Sequence, residues 1–499
     1  GHEGQTERVP TGQVEHARGT NQDQPSCDAH PDLLPALSTI SQRVRTGPPG
    51  AVACAVMPFA PVRSLRRATS STVRTVLSST VVAFVIKVAS AGLSFVMFAA
   101  LARAMEPDAY GRFAAAFSLT TFLATAASVG QRGAALKWVS AHAAVGAARW
   151  RAGAMRVGYG VVLIGGLVVA SGVLVAATLG VEGLGRLEVA TAVGILVLAL
   201  AEYQGHVFRA SGGIPLALLP RDVLWRASVV GLAAWAVFTG ATWSPATWLL
   251  AVMGLLAAWA GGQFVVHERR HPDASPRTPA AFAWRRWVPT WWGFWAASVL
   301  VIAAGSWSVV AIERWVGPEQ AAGFFVALRT AQLLNLFVLA SKVVTMPAFS
   351  RLVELRDWPE VQRVASASAW LSGAFALVGF GAFVALGGWL LSAFGAEFRT
   401  WTPELWILAA GFVVSAAAGP TEALLQMGGR ERGFVVVLAV AHGVSVASLA
   451  VTIPAFGTLG AACSVASGSV LIALLGRAFA LRSLGVDPTV LAVLSRRRG

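Results

Sequence analysis

MEPDAYGRFAAAFSLTTF (residues 105–122) and VGPEQAAGFFVALRTAQL (residues 316–333) read as two copies of one element. They stand at an offset near 211, allowing one inserted residue, and Pro107 meets Pro318 just ahead of an apolar helix in each. Proline suits the first turn of a helix, where its missing N–H is not needed. A repeat at that distance divides a chain of 499 residues into two halves. Outward from it, everything beyond about residue 76 is apolar runs joined by short polar links. Crossing the hydrocarbon of a bilayer takes about 20 residues. Twelve runs meet that length, near 77–102, 110–131, 155–179, 188–210, 223–240, 246–266, 289–314, 320–345, 366–393, 402–426, 433–454 and 457–481.

The expected fold is therefore an all-α polytopic membrane protein of about 12 transmembrane helices in two pseudo-symmetric six-helix bundles. The bundles take residues 76–266 and 289–482, with a cytoplasmic basic linker at 267–288 and a short C-terminal tail at 483–499. Residues 1–75 are polar, punctuated by Pro and Gly, and without periodicity, which predicts a disordered tail. Met57 precedes PFAPVRSLRRATSSTVRTV, a natural short cytoplasmic start, so residues 1–56 are expected to be a processed or over-extended N-terminus.

Composition agrees with a membrane setting. Hydrophobic residues make up 56% and charged residues 13%, where a soluble chain carries about a quarter charged. The net charge of +15 alone invites a nucleic-acid reading, but its distribution does not. With the loops alternating from an inside start, inside segments hold 28 Lys+Arg and 8 acids. The outside links hold 5 basic residues (Arg103, Arg112, Arg186, Arg314 and Arg399) and 8 acids. That bias places both termini in the cytoplasm, as positive loops stay on the inner side. No nucleic-acid partner is expected. The three cysteines, Cys27, Cys54 and Cys463, show neither metal spacing nor a disulfide framework, and no Gly-rich phosphate cradle occurs, so no cofactor is expected.

ALARAMEPDAYGRFAAAFSL (100–119) resembles the first two helices of oligosaccharide and polysaccharide flippases. FVALRTAQLL with VTMPAFSRLVE (325–354), LLQMGGRER (424–432) and IPAFGTLGAACSVASGS (453–469) follow in the same order as in that family. The family, which includes O-antigen flippases, belongs to the multidrug/oligosaccharidyl-lipid/polysaccharide exporter superfamily. The resemblance covers about residues 75–490 and implies a V-shaped pair of bundles with alternating access. It implies a cargo too: a polyprenyl-pyrophosphate-linked oligosaccharide, moved from the cytoplasmic to the outer leaflet of the bacterial inner membrane for surface polysaccharide biosynthesis. A polysaccharide polymerase and glycosyltransferases are then the expected partners, beside the lipid bilayer itself.

A flippase performs no covalent step, so no catalytic residue is expected. Its task is to shelter a sugar and diphosphate from hydrocarbon, and isolated charges at that depth cost several kcal/mol. Four charges lie well inside the expected spans: Lys87, Glu202, Arg329 and Glu422. Lys87 shares a polar stripe with Ser90 and Ser94, and Arg329 carries Gln332 one turn on. These form the expected substrate site, a diphosphate clamp for which the planar fork of arginine is suited. The alternative is that each cation pairs with an acid of a neighbouring helix. Glu202, with His206 a turn later, and Glu422 occupy corresponding helices of the two halves and are the candidates for ion coupling; the alternative is an ion pair for each acid and a buried hydrogen-bonding role for His206. Arg132, Lys137 and Arg209 would stand at the cytoplasmic rim, either collecting anionic head groups or facing lipid phosphates.

Two other functions compete. A multidrug/cation antiporter of the same fold would favour acids over cations in its cavity. An integral membrane glycosyltransferase or ligase would bring a large extracytoplasmic loop and clustered carboxylates, and the outside links here are roughly a dozen residues or fewer.

Overall fold

A computed structural model describes residues 70–144, 146–180, 184–211, 214–270 and 278–492. Among them every regular element is helical. In chain order these are α1 (Ser70–Arg103), α2 (Pro107–Ala127), α3 (Gln131–Ala144), α4 (Ala148–Leu179), α5 (Arg186–Ala210) and α6 (Ile214–Leu219). A π-turn (Pro220–Leu224) leads into α7 (Trp225–Thr239), followed by α8 (Pro245–Arg270), α9 (Trp284–Trp315) and α10 (Pro318–Ala331). One 3-10 turn (Gln332–Leu334) joins α10 to α11 (Asn335–Glu354); α12 (Trp358–Ser392) and a second 3-10 turn (Ala396–Trp401) precede α13 (Thr402–Ala417). The described fold closes with α14 (Thr421–Met427) and α15 (Glu431–Leu484).

Among the described residues nine helices are long and apolar enough to cross a membrane, and α2 with α3 makes a tenth, bent by 47° where Val129 and Gly130 take positive φ. The 54 residues of α15 count once in that tally. A straight helix of that length would run about 80 Å, against a hydrocarbon core of about 30 Å. It is in fact a hairpin. Gly457, at φ 56° and ψ −133°, takes a backbone conformation that a side chain would resist, and the chain reverses there. Ser445 donates to the carbonyl of Ser464 at 2.7 Å and Ser448 to the Ser464 hydroxyl at 2.8 Å, contacts that a straight helix would hold far apart. Every one of the twelve expected spans thus coincides with a helix, a helix pair or one arm of this hairpin.

Corresponding helices of the two halves meet at the ends bearing Pro107 and Pro318. A Cβ added to Gly111 would lie 1.7 Å from the Pro318 carbonyl oxygen, so only a glycine lets α2 and α10 touch. Beside this contact the buried Tyr110 ring meets Phe325 and Phe398 edge-on, each at 6.2 Å. Arg103 donates from Nε to the Ala393 carbonyl at 2.8 Å. At the opposite end, below the bend, the first turns of α9 lie on α3 and the end of α2: Trp138 Nε1 donates to Thr290 Oγ1 at 3.1 Å and Trp295 Nε1 to the Ala126 carbonyl at 2.8 Å. Helix α9 therefore belongs to the second half by sequence but packs on the first over its initial turns.

Three boundaries differ from the sequence expectation. Helix α1 begins at Ser70, inside the segment expected to be disordered to residue 75; residues 1–69, including the proposed processing segment 1–56, lie outside the described residues. The fifth apolar span runs from Pro215 to Thr239, not from 223, because the π-turn carries the helix on through Arg221 and Asp222. The last segment is not a free tail as far as residue 492. Arg477 grips both oxygens of Asp487, and Gln362 exchanges two hydrogen bonds with the Asp487 backbone, at 2.6 and 2.8 Å. In the basic linker, the Ala281 N–H donates to the Arg149 carbonyl at 3.0 Å, tying residues 278–283 to α4.

Candidate functional site

Pro220 has no N–H, and its ring collides with the carbonyl one turn earlier, so a helix passing through it must widen or break. Here it widens into the π-turn Pro220–Leu224. Such turns are rare and recur at functional sites. This one presents Arg221 and Asp222 to α5 and α1. Asp222, whose side chain is 2% exposed, accepts from Lys87 Nζ at 2.5 Å and pairs with Arg226 at 3.4 Å. Glu202 on α5 pairs with Arg221 and, at 3.5 Å, with Arg132 of α3. Arg209, about two turns beyond Glu202, lies within electrostatic range of Arg132, Arg221, Glu202 and Asp222.

A cavity of about 320 Å³ opens beside these pairs, between α1, α2, α5, α7 and α10. Ser94, Phe98, Thr121, Glu202, Arg221, Arg226, Arg329 and Gln332 line it. Arg329 enters from α10. It donates to Gln332 Oε1 at 3.1 Å, and its guanidinium sits 4.7 Å from the Phe325 ring centre and 5.3 Å from that of Phe98. Cation–π contact of this kind steadies a cation without neutralising it. Among the described residues Arg329 has no carboxylate within ion-pair distance. The buried Nε atoms of Arg209, Arg221, Arg226 and Arg329 make no hydrogen bond among the described residues. Six cations (Lys87, Arg132, Arg209, Arg221, Arg226 and Arg329) thus gather around two carboxylates, Glu202 and Asp222, leaving a surplus of four positive charges.

The structure brings Lys87, Ser94, Arg132, Glu202, Arg209, Arg329 and Gln332 to this region. Ser90 is buried on α1 and accepts from Ser94 through its carbonyl, at 2.7 Å. His206 is bonded within its own helix, Nδ1 lying 2.7 Å from the Glu202 carbonyl. Lys137 is exposed, with its ammonium 5.0 Å from the Trp138 ring centre. Glu422 does not join the cluster: it lies on the short helix α14, accepts from Gln426 at 3.1 Å, and its neighbours Ala423–Leu425 pack with Phe349 and Val361. The residue the sequence reading missed is Asp222. Arg221 and Arg226, on either side of the expected start of the fifth span, line the cavity wall. A proline-marked apolar run, IPLALLPRDVLW (214–225), was the signal that the helix continued.

A family model described as polysaccharide biosynthesis protein matches residues 76–353, more than half of the chain. No curated protein sequence matches significantly. Solved structures match over most of their length. One is the inward-facing conformation of a multidrug resistance MATE family transporter of the MOP superfamily: TM-score 0.58, 13% identity, 78% of this chain and 92% of that one. The outward-facing conformation of such a transporter gives 0.55 at 14% identity, over 80% and 93%. A MOP superfamily transporter from Pyrococcus furiosus gives 0.52 at 14% identity, over 79% and 93%. These likenesses carry the fold. Helices, cavity and matched segment together assign the chain to the polysaccharide biosynthesis protein family, on the fold of the MOP superfamily transporters.

Proposed function

We propose that this chain is a membrane transporter that moves a polyprenyl-diphosphate-linked oligosaccharide from the cytoplasmic to the outer leaflet. The observation that carries the reading is the surplus of cations around the cavity, with Arg329 held there by aromatic rings and an amide but, among the described residues, no acid. A diphosphate would supply the missing negative charge, and arginine forks bind phosphate oxygens two at a time. Ser94, Thr121 and Gln332 provide neutral hydrogen-bonding groups for the first sugar. The protein's work is electrostatic and steric, with no bond made or broken. A cation or cationic drug would meet net repulsion in the same space, which disfavours the antiporter reading. The Pyrococcus furiosus relative is itself described as having a binding pocket of reverse polarity that suggests a different function; in this chain too, the sign of the pocket separates the cargo classes.

The basic loops orient the molecule with both termini and the linker in the cytoplasm of a bacterial cell, and the Pro107/Pro318 end facing outward. The reactions that supply the cargo are glycosyl transfers onto a polyprenyl phosphate at the inner face, and the reaction that consumes it is polymerisation or ligation outside. Reconstitution tests this. In vesicles with a fluorescent polyprenyl diphosphate disaccharide in the inner leaflet, the protein should make the sugar accessible to an external glycosidase. Arg329→Gln should abolish that, and equal rates with and without protein would refute the assignment.

A further inference from the structure

We propose a second amphiphile site, centred on Arg314, that holds the saccharide lipid at the outer leaflet outside the central cavity. It rests on the transport reading above for its orientation and cargo class. Two hollows meet at the end of α9. One is a cleft of about 680 Å³ between α2, α4, α5 and α9, with Arg112, Glu188, Thr191, Glu313 and Arg314 on its walls. The other is an apolar groove of about 280 Å³ on the other side of α9, formed with the first arm of α15 by Trp307, Trp315 and Leu449. Val310 and Arg314, one turn apart on α9, line both.

The two hollows divide the chemistry of one ligand. The polar cleft has the size of a small-molecule site, and the Glu188 and Glu313 carboxylates with the Thr191 hydroxyl offer hydrogen-bonding groups to sugar hydroxyls. The groove offers hydrocarbon contact and two tryptophans, 39% and 54% exposed, at the depth where amphipathic rings settle. Arg314 stands at the junction, exposed and without an ion-pair partner among the described residues, where a phosphate joins head to tail. A bulk glycerophospholipid fits less well: it brings two acyl chains to one narrow groove and a small head group to the larger cleft. The site is separate from the central cavity, because α2 stands between them. Ala115, Ala116 and Leu119 face the cleft, whereas Phe117 and Thr121 face the cavity.

Photocrosslinking of the full-length protein in vesicles tests the site. A benzophenone side chain placed at Ala450 reads the groove, and one placed at Ser94 reads the cavity; the probe is the same fluorescent polyprenyl diphosphate disaccharide. Arg314→Gln should lower labelling at Ala450 about tenfold, as expected for one charge-assisted contact, and leave Ser94 labelling unchanged. Arg314→Lys should keep most of it, which a folding defect would not. Arg329→Gln should act at Ser94 only. Ala450 labelling that ignores Arg314→Gln, or that an equal concentration of phosphatidylglycerol displaces, would overturn the proposal. Ser94 labelling that ignores Arg329→Gln, with Ala450 labelling still lost in Arg314→Gln, would overturn the central-cavity reading and leave the Arg314 site standing.

Discussion

Lys87 on α1 and Asp222 on the π-turn, 135 residues apart in the chain, meet at 2.5 Å, and Asp222 also serves Arg226. The acid is nearly inaccessible, whereas the lysine side chain is one-third exposed. Their substitutions should therefore differ. Asp222→Ala strands Lys87, Arg226 and the neighbouring Arg221 around a single remaining carboxylate, and should cost about 3–5 kcal/mol, the range for breaking a buried pair. Lys87→Ala leaves Asp222 its arginine and should cost less. Thermal unfolding in detergent compares them, and in the double variant the two losses should not add, since the residues are in contact. Additive losses would show that the pair is not coupled.

Arg329 should be sensitive to shape as well as charge. Its guanidinium lies against Phe98 and Phe325 while one nitrogen reaches Gln332. Lysine keeps the charge but not the planar fork or the stacking. Transport by Arg329→Lys should therefore fall at least tenfold, close to Arg329→Gln, with unfolding temperature little changed in either. Full activity in Arg329→Lys would mean that a point charge suffices at this position.

How far the sequence could be read follows from where each signal lies. Pro107 and Pro318, with apolar runs behind them, are local signals, and the helices, their order and the reversal near Gly457 were legible from them. Arg329 and Gln332 were visible together because one turn of helix separates them. Asp222 was not, because the fifth span was expected to start at 223, which leaves Arg221 and Asp222 outside it. What makes them tolerable inside a span is contact with Lys87 and Glu202, which no local pattern displays. The π-turn that presents them breaks the 3.6-residue period on which the reading depends. Glu202 and Glu422 illustrate the reverse: corresponding positions in the halves suggested corresponding roles, yet α5 is continuous, whereas Glu422 sits on a separate seven-residue helix.

The contact between Gly111 and the Pro318 carbonyl should control how closely the halves approach at the outer end. A methyl group at Gly111 would sit 1.7 Å from that oxygen, so α2 and α10 must separate by more than 1 Å to admit it. Gly111→Ala should lengthen the distance between spin labels at the exposed Glu106 and Glu319 and broaden its distribution. An unchanged distribution would show that the seam is held by the aromatic cluster of Tyr110, Phe325 and Phe398 alone.

Asp487 lies beyond the last span and gives the fold a pH dependence that can be assigned a sign. Burial pushes its carboxyl pKa up, but hydrogen bonds from Arg477 and Thr489 outweigh this and hold it below the ordinary value. A carboxyl whose folded pKa is depressed adds stability that is fully present above its unfolded pKa, near 4, and is lost as pH falls through the folded pKa. At neutral pH Asp487→Asn should therefore unfold at lower temperature, by an amount equivalent to roughly 1–3 kcal/mol for hydrogen bonds to a charged group. The gap between wild type and variant should narrow steadily below pH 4, as the wild-type carboxyl takes up its proton. Arg477→Gln should show the same convergence, since it removes the other partner. Gln362→Ala should lower stability without it, because the Gln362 amide bonds the Asp487 backbone and the Ser366 hydroxyl, not the Asp487 carboxylate. A gap for Asp487→Asn that stays constant from pH 7 to pH 3 would mean that the ion pair does not hold the C-terminal segment to the bundle.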